Sequence, residues 1–386
     1  MHLLTLSDIA EIIMGQSPKG EDCNSDPSGT PLLNGPTEFG PRYPVAVQFT
    51  SDPKRFSKAG DILFCVRGST TGRMNLADRA YAIGRGIAAI RGKNGYPTAF
   101  VKGMIDSTLP SLLVQATGST FPNVSREMLN NLKIPFVDPE TAKQIAKILS
   151  SLDDKIELNR RMNSTLEAMA RALFKAWFVE FEPVHANKEN RPSTSASPEI
   201  AKLFPSDFEN GIPKGWTFKP LGNIADVNWG DTSVTKQSYV SDGFSAYSAS
   251  GSDGLLPYFD FDKTGIVVSA IGANSGLTWL ARGKWSAIKN TITIFASDKE
   301  TSTEYLYLST IGKENWTLRG SAQPFLSQTD TRAKQILFPS ENLGAIFGSW
   351  VEPLFELHES RKAEGARLAE IRDALLPRLI AGKIRV

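Results

Sequence analysis

Apolar positions along this chain follow two periods, and the order in which they alternate occurs twice. "LSDIAEIIMG" (Leu6 to Gly15) and "LGNIADVNWG" (Leu221 to Gly230) share Leu, Ile-Ala, an acid, an aliphatic residue and Gly at the same places. Further on, "GDILFCVRGSTTG" (Gly60 to Gly72) parallels "GIVVSAIGANSG" (Gly265 to Gly276). Each is an apolar run of strand type that ends in a Gly-flanked small polar loop. With those loops aligned, Ile90 falls opposite Ile294. Next, "TGSTFPNVS" (Thr117 to Ser125) parallels "RGSAQPFLS" (Arg319 to Ser327), and the two are followed by "LKIPF" and "QILFP".

Both halves then change to helical spacing. Ile145, Ile148, Leu152, Ile156, Met162, Leu166, Met169 and Leu173 recur mostly at steps of three or four, as do Phe347, Val351, Leu354, His358, Leu368, Ile371, Leu375 and Leu379. A stripe sustained over about forty residues is coiled-coil-like. Asn159 and Arg361 interrupt it, and polar groups in such a seam commonly fix register. Each stripe needs a partner, and its own duplicate matches it.

Ordered matches of this kind make an internal duplication. The pattern predicts an α+β protein: two similar globular modules and two long antiparallel coiled-coil helices, with pseudo-two-fold symmetry. The boundaries read as module 1 at 1–138, long helix 1 at 139–181, a linker at 182–213, module 2 at 214–338 and long helix 2 at 339–386. The Pro/Ser/Asn-rich centre of the linker, Asn187 to Pro198, reads as solvated.

Composition narrows the class. The chain has 386 residues, 41% hydrophobic and 22% charged, enough for sizeable cores. No apolar run approaches a membrane span, and the N-terminus lacks a basic region and a small-residue cleavage site, so a cytoplasmic protein is expected. Two cysteines, Cys23 and Cys65, and three histidines permit neither a disulfide framework nor Cys/His metal spacing. Cys65 in "DILFCV" reads as a plain buried thiol. His358, on the seam of the second helix, reads as a packed or capped helix residue.

Net charge is only +2, but Arg42 to Lys102 holds eleven Lys/Arg against Asp52, Asp61 and Asp78. Such an excess suggests either a polyanion-facing surface or a face neutralised by acids from elsewhere in the fold. No phosphate loop, H-E-x-x-H, C-x-x-C, nucleophile elbow or Asn/Asp-Pro-Pro-aromatic tetrapeptide occurs. A duplicated architecture without catalytic motifs favours recognition over catalysis.

This order of parts resembles the specificity (S) subunit of type I restriction–modification systems. The paired openings carry the resemblance, as do the two GS-x-x-P-x-x-S loops and the helix "IAKILSSLDDKIELNRRMNSTLEAMARALFKAWFVEFEPV" followed by "LFPSDF…GIPKGW". The C-terminal "LAEIRDALLPRLIAGKIRV" adds to it. The resemblance implies a non-catalytic DNA-binding subunit of a phage-defence system, in which each module is a target-recognition domain reading one half of a bipartite asymmetric site. The helices would set half-site spacing and dock two methyltransferase (M) subunits, and restriction (R) subunits would join. The chain itself would hold no cofactor; S-adenosylmethionine, ATP and Mg would belong to the partners. The residues alone leave open an orphan duplicated scaffold that binds DNA or protein without a methyltransferase, and an enzyme whose site lies in the Gly/Ser/Thr-rich loops.

On that reading Lys and Arg face phosphates, Arg also guanine, and Gln adenine. The module 1 candidates are Gln16, Ser17, Lys19, Arg42 and the loop residues Arg67, Ser69, Thr70, Thr71 and Arg73, with Gly68 and Gly72 allowing close backbone approach. In module 2 they are Lys236, Gln237, Tyr247, Asn274, Lys284, Lys289 and Asn290, although Asp231 to Asp262 holds five acids and one Lys. Trp229 reads as packed more readily than as a base-stacking residue. The long helices are near neutral and read as protein-binding. Phe174, Trp177, Phe178 and Phe181 offer more aromatic surface than one seam needs, which fits either an M-subunit interface or packing under the linker.

Overall fold

The computed structural model describes residues 3–116, 122–297, 299–320 and 322–384. Gly118, Ser119 and Ser321 of the repeated loops lie outside that set. The chain divides into two compact units, Met1–Arg161 with Arg361–Val386, and Met162–Ser360. Both long helices, Pro139–Phe178 and Leu343–Ile380, are shared between the units.

In the first unit an antiparallel sheet is ordered Ala10–Met14, Ile87–Gly92, Ile62–Cys65, Met74–Leu76. Side-chain alternation on its central strand explains the continuous apolar run. Ile62, Phe64 and Val66 enter one core with helix Thr98–Gln115, while Leu63 and Cys65 enter another with Tyr81 and Ile83. A strand buried on both faces reads as unbroken hydrophobicity. Cys65 is fully buried there, as its setting predicts. A second sheet is ordered Cys23–Asn24, Gln48–Thr50, Thr30–Leu33, Ala82–Ile83, its last pair parallel.

The second unit repeats this plan. Its first sheet is ordered Ala225–Trp229, Thr291–Ala296, Gly265–Ser269, Thr278–Ala281. The register repeats residue for residue. Ile90 lies between Ile12 and Ile62, and Ile294 lies between Val227 and Ile266. The second sheet again holds a parallel pair, Phe244–Ser248 with Lys284–Ala287, although its flanking strands differ. Two α+β modules and two long helices are therefore present, as the pattern predicts.

The helices run antiparallel within each unit. In the first, the Arg372 guanidinium donates to Asp153 at 2.7 Å and Asn159 Nδ2 donates to Glu364 Oε2 at 2.9 Å. Asn159 is 2% exposed, so the polar break in the stripe sits inside the seam, where a slipped register would strand its amide. Beside it, buried Glu157 is held by Arg160 and Arg161, which pull its pKa down to about 2 against the cost of burial.

In the second unit His358 Nε2 meets Glu167 and Nδ1 meets Glu359, both at 3.2 Å. Hydrogen bonding to Glu167, then to Glu359, raises the imidazole from its ordinary 6.5 to about 9. Between those values the folded chain holds more protons than the unfolded one. This contribution is therefore fully present below about pH 6.5 and lost as pH rises through about 9. The melting temperature should fall more steeply over that window in the wild type than in His358→Gln. Parallel curves would place the dependence on other groups.

Residues 182–213 are a folded segment whose Pro/Ser/Asn-rich centre, Asn187 to Pro198, holds no buried residue, as its composition predicts. They form helix Glu182–Lys188, a turn of helix at Pro198–Ala201 and the ladder of Phe208–Glu209 with Ile212–Pro213. Burial opposes ionisation of Glu182. Even so, Ser193, Arg191, the Thr194 amide and Ser195 all donate to its carboxylate and hold it far below the usual range. Val184 and Phe204 are buried. Composition alone reads Ser and Pro as loop; here the serines fold the segment around one acid.

Candidate nucleic-acid interface

The Gly-flanked polar loops have one backbone design in both units. Gly68 and Gly72 have φ of 95° and 90°, and Gly272 and Gly276 have 95° and 84°. Only glycine adopts this region without cost, so the four glycines shape the turns. Thr71 Oγ1 donates to the Pro122 carbonyl at 2.9 Å, and Ser275 Oγ donates to the Pro324 carbonyl at 2.8 Å. The amide of Val124 donates to Val66, as that of Leu326 does to Ala270. These bonds tie Pro122 and Val124, and likewise Pro324 and Leu326, to the loop after the central strand.

The loops after the other strands join at the same sheet end. In the first unit Gly15 donates to Ile87 and Gln16 to Ile83; in the second, Gly230 donates to Thr291 and Asp231 to Ala287. A Cβ at either glycine would strike the carbonyl oxygens beside it, which accounts for the Gly that closes each opening motif. Each module thus presents a braced platform of four loops.

The candidates divide on this platform. Gln16, Arg67, Ser69 and Thr70 are exposed on it, and Lys19 lies beyond, paired with Glu21 at 3.3 Å. Ser17 Oγ accepts from the Arg85 amide at 3.1 Å and donates to Asn34. Three other candidates make contacts within the chain. Thr71 braces the loop rather than facing outward. Arg73 donates to the carbonyls of Phe39 at 2.7 Å and Pro36 at 3.3 Å. Arg42 is bound to Asp154 at 2.5 Å and to the Asp153 carbonyl at 3.0 Å, so it anchors the module to the first long helix.

Four of the eleven basic residues of the window, Arg42 among them, are paired with carboxylates. Lys102 pairs with Asp106, Arg91 with Asp61, and Lys54 with Asp52. Asp106 and Asp154 lie outside the basic window, so a sequence count could not see them. Arg67 and Arg85 are exposed and have no ion-pair partner among the described residues.

In the second unit Gln237 and Lys289 are exposed, whereas Asn274 is half-buried in its turn. Asn290, at φ 70°, accepts from the Ala270 amide and shapes the turn before Thr291. Lys236 is paired with Asp253, and Lys284 lies over the rings of Phe259 and Phe244. Tyr247 is a further correction. At 7% exposure it packs edge-on against Trp285, because it holds the sheet position that Leu33 holds in the first unit. Trp229 also departs from expectation: it is 41% exposed at its strand end.

The four aromatic candidates for partner binding are corrected most plainly. Trp177 is 0% and Phe178 4% exposed, in one core with Phe204, Trp216 and Phe347. Phe174 packs on Tyr305 and Phe347, and Phe181 on Phe208 and Trp216. Trp177 Nε1 donates to the Ser195 carbonyl at 3.0 Å, so they pack under the linker.

Sequence reasoning also missed residues. Asn34, Gln48 and Arg85 are exposed on the first platform. They come from three separate stretches, and only the parallel pairing of Thr30–Leu33 with Ala82–Ile83 brings them beside Ser17. The polar asparagine after "PLL" was the one available signal.

Among the described residues no helix is long and apolar enough to cross a membrane. The family model for the type I restriction modification DNA specificity domain matches residues 2–168 and 213–363. The MjaIX type I restriction enzyme specificity subunit of Methanocaldococcus jannaschii is 29% identical over 296 residues, covering 70% of this chain and 64% of that protein. This chain thus spans less than two thirds of that relative. The HindI specificity subunit of Haemophilus influenzae is 28% identical over 340 residues, 71% of this chain and 73% of that protein. The crystal structure of a type I restriction–modification S subunit from M. genitalium has the same fold, with a TM-score of 0.65 at 18% identity over 98% of this chain and 95% of that one. Two matches of one family model, each over a module that repeats the other's sheet order and loop bracing, establish that the chain belongs to the type I restriction modification DNA specificity domain family.

Proposed function

We propose that this chain is the DNA-reading, non-catalytic subunit of a type I restriction–modification complex, each module reading one block of a bipartite asymmetric site. The observation that carries this reading is the duplicated platform: one backbone frame with different side chains on it. Gln16 and Ser17 in the first module are replaced at the equivalent positions by Asp231 and Thr232 in the second. A conserved frame with divergent tips is what two readers of different base sequences require. The antiparallel helices serve as the spacer between readers. Two methyltransferase subunits dock on the chain and bring S-adenosylmethionine and the reacting groups; restriction subunits bring ATP, Mg and cleavage. The complex acts in the cytoplasm.

Methylation mapping tests this directly. A methylation-free host expressing the chain with its neighbouring methyltransferase should acquire a modified motif of two short blocks separated by a fixed unspecified spacer. The methyltransferase alone should give none. Exchanging residues 1–138 for another such module should change one block only. No new modification, with both proteins soluble, would favour a scaffold that works without a methyltransferase.

A further inference from the structure

On the first platform the exposed Asn34 side-chain amide is hydrogen-bonded at both its oxygen and its nitrogen. Asn34 follows strand Thr30–Leu33, and the Gly84 amide donates to the Leu33 carbonyl at 2.8 Å. The Arg85 backbone N–H can only donate, and it donates to Ser17 Oγ at 3.1 Å. The hydroxyl proton of Ser17 then goes to Asn34 Oδ1 at 3.3 Å. On the other side Asn34 Nδ2 donates to Gln48 Oε1 at 3.1 Å. The oxygen end of the Asn34 amide thus faces Ser17 and its nitrogen end faces Gln48.

Two glycines make room for it. A Cβ at Gly84 would collide with Asn34 Oδ1, and one at Gly86 with the Asn34 carbonyl oxygen. Neither glycine has a left-handed φ, so the requirement is space rather than backbone freedom.

After these bonds the exposed Asn34 side chain still has one N–H to donate and one oxygen lone pair to accept with. Adenine presents the complementary pair in the major groove: N7 accepts and N6–H donates. Guanine presents two acceptors and would oppose the oxygen. We infer that Asn34, held by Ser17 and Gln48 and given room by Gly84 and Gly86, reads an adenine in the block recognised by the first module. This rests on the DNA-reading role proposed above and adds one residue and one base to it.

The second module has no counterpart. Its Ile288 amide donates to the Tyr247 carbonyl as Gly84 does to Leu33, so Ser248 occupies the position of Asn34. Ser248 is 2% exposed and its hydroxyl donates to Asp253 at 2.9 Å. The consequence of changing Asn34 should be confined to one block.

The test uses the full chain co-expressed with its methyltransferase, with methylation mapping and competition binding on duplexes of the mapped motif. Asn34→Ala should turn one fixed adenine of one block into a degenerate position and leave the other block unchanged. Its affinity for the mapped site should fall roughly ten- to a hundredfold, while duplexes already substituted at that base lose nothing further. Asn34→Asp keeps the shape and removes the N–H donor, so it should disfavour the same adenine even if the alanine variant folds poorly. Gly84→Ala should reproduce the loss by displacing the amide. A wild-type motif that stays intact in Asn34→Ala and Asn34→Asp, or one weakened equally in both blocks, overturns the assignment alone. Absence of any bipartite motif with the wild type overturns the assignment together with the DNA-reading role.

Discussion

Trp177→Ala should destabilise the second unit by roughly 3–5 kcal/mol, the range for emptying a buried aromatic site. The indole is fully buried and has edge contacts with Phe178, Phe204 and Phe347 at centroid separations of 6.0, 5.3 and 5.8 Å. Its N–H bonds the Ser195 carbonyl at 3.0 Å, so removal also leaves that acceptor unpaired. Trp177→Phe should retain most of the packing and lose mainly that bond, at about 1 kcal/mol. Urea denaturation monitored by circular dichroism would separate the two. If Trp177 instead belonged to a docking surface, the alanine variant would unfold at the wild-type midpoint and lose only its partner.

That contrast shows what is legible in a chain of this kind. The repeat, the strand runs and the helical stripes are properties of local order, and the structure contains all three. Ile90 and Ile294 fall opposite one another in the sequence because they are the central rungs of equivalent sheets. The use of a side chain is a long-range property. Trp177 looks available in sequence because the segment that covers it follows it and is rich in Ser, Pro and Asn. The convergence of Ser193, Thr194, Ser195 and Arg191 on Glu182, with the Trp177 and Asn187 bonds to the segment's carbonyls, folds it over the aromatic cluster. Arg42 and Arg73 look like phosphate ligands for the same reason: their partners, Asp154 and the Phe39 carbonyl, are not adjacent to them in any pattern. Tyr247 looks available in sequence because the repeat is legible in the loops and not in the second sheet, where Tyr247 matches Leu33.

The second large effect concerns affinity rather than stability. Replacing both Arg67 and Arg85 by Ala should weaken DNA binding on the order of a hundredfold at physiological salt, since hydrogen bonds to charged groups contribute about 1.5–3 kcal/mol each. Of the eleven basic residues in the window, Arg55, Lys58, Arg79 and Lys93 are exposed but lie outside the platform's loops. Arg42, Arg91, Lys54 and Lys102 are paired with carboxylates, and Arg73 is tied to carbonyls. Arg67 and Arg85 extend from two neighbouring loops of the platform, one after the central strand and one before strand Ile87–Gly92. If both face phosphates, the double variant should lower the slope of log affinity against log salt by about 1.8 for duplex DNA. The loss should be similar for cognate and non-cognate duplexes, because phosphates carry no sequence information. A loss confined to the cognate duplex, with the slope unchanged, would instead make one of the two a reader of guanine. Arg42→Ala is the control. Its guanidinium is already engaged by Asp154 and the Asp153 carbonyl, so it should leave the salt slope as it is and lower the melting temperature of the first unit. A reduced slope in that control, at unchanged melting temperature, would mean that Arg42 leaves its helix contact to meet DNA.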